Sequence, residues 1–220
     1  MKRFTQALIA VIALCTAQLA LSQEAIEITS GTDKATPIAV VPFGWQGSAP
    51  LSEDLADISA NDLRNTGMFA PMERSNMLSY PVRGEEINSR DWKMIGVDYV
   101  VVGQVTNQPG TDRYELNYSL YSILREQVLL SKTVSGTQSQ LRDMAHHLSD
   151  EVFEEITGIK GAFNTKLLYV AAERFSADNT RYTLQRSDYD GARASTLLQS
   201  REPILSPSYA PDGQRIALKA

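Results

Sequence analysis

Cysteine is nearly absent from this 220-residue chain, which has only Cys15. That residue lies in the leading segment, so the fold behind it rests on no disulfide and has no thiolate for catalysis or metal binding. Histidine is scarce too, with two copies, and 21 Lys plus Arg stand against 26 Asp plus Glu for a net charge of −5. No basic patch offsets that balance, which excludes a nucleic-acid binder working by phosphate neutralisation. Also missing are a Gly-x-Ser-x-Gly elbow, a His-Glu-x-x-His pair, and the glycine patterns of phosphate and dinucleotide loops. With 43% hydrophobic residues, 9 Pro and 13 Gly, the chain is neither disordered nor low-complexity and can bury a core.

One long apolar stretch is present. Phe4 to Leu21 follows Lys2 and Arg3 and is broken by Thr5, Gln6, Cys15, Thr16 and Gln18. Ala20-Leu21-Ser22 then supplies small residues at the −3 and −1 positions, which predicts a secretory signal peptide over residues 1–22, cleaved before Gln23. The interruptions argue against a membrane anchor, so no span is expected after cleavage. Cys15 follows Leu14 rather than a small residue, which argues against lipidation. Such export suggests a bacterial periplasm.

In the mature chain, Ile26 and Ile28 alternate with Glu27 ahead of a turn-rich linker. Periodicity favours a first strand here, with a tethered arm able to join a partner's sheet edge as the alternative. Ile38 to Phe43 and Val97 to Val105 read as buried strands. A helix capped by Ser52 runs to about Asn65 with Gly67 as its stop, and Ser89 caps a short helix ended by Gly96. Tyr114 to Tyr121 alternates and pairs with Val128 to Val134. The longest helix carries Leu141, Met144, Ala145, Leu148, Val152 and Ile156 on one face and ends at Gly158. Strand, helix, strand, hairpin, helix predicts an α/β domain with a mixed sheet flanked by helices over residues 37–163.

After Gly161 the pattern changes to short strands at Leu167 to Ala172, Tyr182 to Ser187 and Ala194 to Leu198, with no helix between them. Pro211-Asp212-Gly213 before Ile216-Ala217-Leu218 is turn punctuation of the kind that repeats in propeller blades of about 40–45 residues. Residues 164–220 are therefore expected to form one blade and the start of a second, as though the sequence stops inside the array.

The residues Ile28-Thr29-Ser30-Gly31, Pro37 to Phe43, Asp62 to Phe69, Val100 to Val105, Ser149 to Phe163 and Ser187 to Gly191 occur in an order that resembles the front half of the TolB family of the Tol-Pal envelope system. The resemblance implies an α/β domain followed by a six-bladed propeller, no enzymatic role and no cofactor. It also implies that the arm binds the C-terminal domain of TolA by strand addition and the propeller binds the lipoprotein Pal. On that basis the partner site is Glu24, Ala25, Ile26, Glu27, Ile28, Thr29, Ser30, Gly31, Thr32, Asp33 and Lys34 within an arm of residues 23–36. This overrides the first-strand reading.

Two other groups of residues carry donors of chemical interest. His146 and His147, with Asp143 and Asp150 at helical spacing opposite the apolar face, have the donors for a transition metal, although a solvated helix face is the commoner meaning. Asp188-Tyr189-Asp190-Gly191 opens like a calcium loop, but the closing glutamate is missing, which leaves a hairpin turn. The competing functions are the propeller half of an exported peptidase, or a metal- or solute-binding protein.

Overall fold

The computed structural model describes residues 34–47, 49–176, 179–213 and 215–219. The expectations for the signal peptide and for arm residues Glu24 to Asp33 lie outside them. Strand β1, Thr36–Val40, is paired on both sides by parallel strands, β3 (Phe69–Pro71) and β4 (Tyr99–Asn107). It has helices to cover both of its faces, which is why Ile38, Ala39 and Val40 are consecutive, apolar and buried. Pro42 has no N–H and interrupts the ladder, which resumes at β2, Gly44–Trp45, beside the end of β4.

The antiparallel strands β5 (Tyr114–Ser122) and β6 (Gln127–Gly136) extend the sheet, giving the order β3-β1-β4-β5-β6. Helix α1, Leu55–Asn65, connects β1/β2 to β3, and α2, Ser89–Met94, precedes β4. Helix α3, Leu141–Thr157, follows β6. Alternate residues of β1 and β4 point to opposite faces. Ile38, Val40, Val101 and Val105 pack with α1 and α3, whereas Ala39, Val41, Val100 and Val102 pack with Trp92 of α2.

The helix caps differ from the sequence expectation by one or two residues. Asp54, not Ser52, caps α1, its carboxylate accepting the Asp57 N–H at 3.0 Å. Asn88, not Ser89, caps α2 by accepting from Arg90 N at 3.2 Å, and the Ser89 hydroxyl instead bonds that of Tyr121 at 2.9 Å. In both places two capping-type residues lie close together, and the one just outside the first helical turn takes the role. A capping box of Thr137 and Gln140 leads into α3, and Gly158 ends it at φ +71° as expected. His146 does not lie opposite the apolar face of α3 but is fully buried, a correction explained below.

Beyond α3, strands β7 (Lys166–Ser176), β8 (Asn179–Asp188) and β9 (Ser195–Ser200) form an antiparallel sheet. A second hairpin pairs β10 (Leu205–Tyr209) with β11 (Ile216–Lys219). At its turn Gly213 adopts φ +66° and donates to Ala210 O at 2.9 Å. Among the described residues neither sheet closes on itself.

Candidate functional site

The densest polar constellation sits where the turn after β8 meets α1 and α3. Its centre is Asp62, whose carboxylate is 1% exposed. Oδ2 lies 2.8 Å from His146 Nδ1, and Oδ1 accepts the Tyr189 hydroxyl at 2.6 Å. An ionised carboxylate only accepts, so Nδ1 carries the proton. The rings of His146 and Tyr189 meet edge to face at 5.4 Å, and an aromatic chain continues from Tyr189 through Phe163 and Phe153 to Phe69. Burial, then the bond to Asp62, raises the Tyr189 pKa well above its ordinary value, so the phenol stays a donor.

Around this dry centre runs an ionic belt. Asp188, with its side chain 3% exposed, accepts from Lys166 at 2.7 Å and from Arg193 Nε at 2.7 Å, and Arg142 Nε approaches it at 3.3 Å. Asp143 of α3 pairs with Lys166 at 3.0 Å and with Arg193, while Arg142 also pairs with Asp190 and, at 3.6 Å, with Glu53. Burial alone would raise the Asp188 and Asp143 carboxyls. Hydrogen bonds from Arg193 and Lys166 outweigh it and hold both below the usual carboxylate value. Glu53, Arg142 and Asp143 belong to the α/β part, whereas Lys166, Asp188, Asp190 and Arg193 belong to the β7-β8-β9 sheet or its turn. The belt therefore fastens one part to the other.

The segment between them is clipped as well. Asp150 accepts from Phe163 N at 2.7 Å and Asn164 N at 3.2 Å. The main chain passes so close that a Cβ on Gly161 would lie 2.6 Å from Asp150 Cα, which only glycine permits.

These placements separate the four residues considered as metal ligands, Asp143 being taken up by Lys166 and Arg193. His146 turns inward to Asp62, Asp150 is occupied by the linker amides, and His147, 44% exposed, points toward Glu151 at 3.9 Å. The donor atoms that converge among the described residues are those of Asp62, His146 and Asp190, within 4.8 Å. That set does not suit a cation. Asp62 already accepts from two donors, and Asp190 is neutralised by Arg142. Nor does the His–Asp pair serve a nucleophile, since His146 Nε2 is buried and has no hydrogen-bond partner. Lys34, the one described residue of the expected partner site, is exposed just before β1.

Comparison with known proteins gives this arrangement its context. The family model of the TolB amino-terminal domain matches residues 24–129, and that of the TolB beta propeller domain matches residues 153–219. The chain belongs to the TolB family. The Tol-Pal system protein TolB of Pseudomonas syringae pv. syringae strain B728a is 57% identical over 210 residues, 96% of this chain and 48% of that protein. Its counterpart in Pseudomonas fluorescens strain SBW25 is 59% identical over 208 residues, covering 94% and 48%. The crystal structure of TolB from Acinetobacter baumannii, 34% identical, matches with a TM-score of 0.73 over 84% of this chain and 44% of that one. The chain thus spans about half the length of the curated TolB relatives it matches. Of the joint, Glu53 and Asp62 fall in the stretch matched by the amino-terminal model and Lys166, Asp188, Asp190 and Arg193 in that matched by the propeller model, with Arg142, Asp143 and His146 of α3 between the two. Among the described residues, no helix is long and apolar enough to cross a membrane.

Proposed function

We propose that this chain acts in the periplasm as a non-enzymatic interaction component of the Tol-Pal system, linking TolA to Pal in support of outer-membrane integrity and constriction at division. Residues 1–22 serve as the export signal, 23–36 as the partner arm, 37–163 as the α/β domain, and 164–220 as the first blade and the start of the second. Glu24 to Lys34 add a strand to the C-terminal domain of TolA, and the propeller takes Pal. One observation carries the reading: two TolB family models match in chain order, the first already from residue 24.

Strand addition trades the ordering of the arm, about 1–2 kcal/mol per residue, for main-chain hydrogen bonds and burial of Ile26 and Ile28. The balance favours weak, reversible capture. Deleting Gln23 to Asp33 is expected to leave thermal unfolding unchanged and abolish the calorimetric heat of binding to the TolA C-terminal domain. Binding that survives the deletion contradicts the proposal.

A further inference from the structure

A second feature is far from the joint in character, being uncharged and open. In the order β3-β1-β4, the chain leaves β1/β2 through α1 toward β3 and returns through α2 to β4 on the other side of β1. The carboxyl ends of β2 and β4 therefore flank a topological switch point, the place where open α/β sheets hold ligands. A cavity of about 640 Å³ lies there, within the usual size of small-molecule sites. Its wall is aromatic. Trp45 and Tyr114 are both half-buried, stacked with centroids 6.0 Å apart at 28°. The indole is held in place by its Nε1–H, which donates to Ala49 O at 2.7 Å.

The polar lining is neutral. It is composed of side-chain amides such as Gln46, Asn107 and Gln138 and the hydroxyls of Ser52 and Thr106, with no Lys, Arg, His, Asp or Glu among the described lining residues. Phosphates, carboxylates and amines would find no counter-charge in the lining itself; Asp112 beside it accepts the Gln138 main-chain N–H at 2.9 Å, and Glu53 and Arg193 line the adjoining crevice. Asn107 spends its Nδ2 on Thr111 O and Arg113 O, at 3.3 and 3.1 Å, which leaves Oδ1 as a fixed acceptor for a ligand hydroxyl. Such a site suits a molecule with apolar ring faces and hydroxyls around its rim.

We propose that this crevice binds a neutral saccharide, with a pyranose ring against the Trp45–Tyr114 wall and its hydroxyls on Asn107 and Gln138. The chain has two tryptophans, and Trp92, 1% exposed, lies under the opposite face of the sheet. Trp45 emission therefore reports on the site. Titrating the full chain with maltotetraose and with tetra-N-acetylchitotetraose should give a saturable change in that emission at millimolar concentrations for at least one of them. The change should weaken several-fold in Gln138→Ala, an exposed position that leaves the fold intact, and vanish in Tyr114→Ala. No saturable response to either sugar overturns the proposal. So does an undiminished response in Gln138→Ala, or saturation only by a neutral peptide such as N-acetyl-Ala-Pro-Ala-amide.

Discussion

Asp62 shows how one buried carboxylate can tie three distant parts of a chain together. Its two partners are 84 and 127 residues away in sequence, and each satisfies one oxygen. Tyr189→Phe removes one donor without changing the ring, leaving Asp62 Oδ1 buried and unbonded. The expected loss is about 1–3 kcal/mol, read as a lower urea midpoint at unchanged slope. Part of this was legible in the sequence. Asp62 falls four residues after Ile58 and three after Ser59, on the buried stripe of α1, and a carboxylate there needs a partner. The partner itself was not legible. Periodicity draws one apolar stripe on α3 through Leu141, Ala145, Leu148 and Val152, but a second face of the helix is buried at His146, Ser149 and Phe153. That face is covered by α1 and by the hairpin turn carrying Tyr189, contacts that no local pattern contains.

The elements divide along similar lines. The long helices and the strands with several consecutive apolar residues could be read in advance, because their own periodicity specifies them. β2 and β3, of two and three residues, could not, since they exist only through pairing with β4 and β1. The turn after β8 looked like a plain hairpin and is one, yet it also supplies Asp188, Asp190 and Arg193 to the belt. Because Asp188 and Asp143 have lowered pKa values, their stabilisation of the joint is complete above the ordinary carboxylate value of 3.8 and fades as pH falls through the lowered values. The protection factors of amides 186–193, measured against the intrinsic exchange rate at each pH, should therefore fall in acid below that value, while the α3 interior stays protected. Asp188→Asn should lower the same protection at pH 7, by removing the more buried of the two carboxylates, Asp188 and Asp143, that Arg193 and Lys166 share. Equal protection in the parent and this variant contradicts the role assigned to the belt.

At the scale of the whole molecule, apolar burial is uneven. The α/β part has exposed apolar residues such as Met94 and Leu124 but holds nearly all of the buried core, whereas in the later strands Leu167, Phe175, Leu197, Leu198, Leu205 and Leu218 are 38% to 52% exposed and, among the described hydrophobic residues beyond Phe163, Leu184 and Ile204 alone are buried. In the TolB family such strands belong to a propeller, where one blade covers the next. For this chain by itself, limited proteolysis is expected to cut within residues 165–220 before it touches 37–160, and uniform resistance would contradict that expectation. Turn chemistry at Pro211-Asp212-Gly213 made the strand repeat readable. How those strands seat on the first domain was not, because that contact depends on charges scattered from Glu53 to Arg193.

Lys34 stands just before β1, which pairs with β3 over Thr36, Pro37 and Ile38 on one side and with β4 over Ile38, Ala39 and Val40 on the other. A pull at Lys34 along the strand would therefore load two parallel ladders in shear, β3's first and β4's behind it, rather than peel a free margin one bond at a time. If residues 23–36 are held as proposed, the load enters the sheet along its strands, the direction in which pairing yields last.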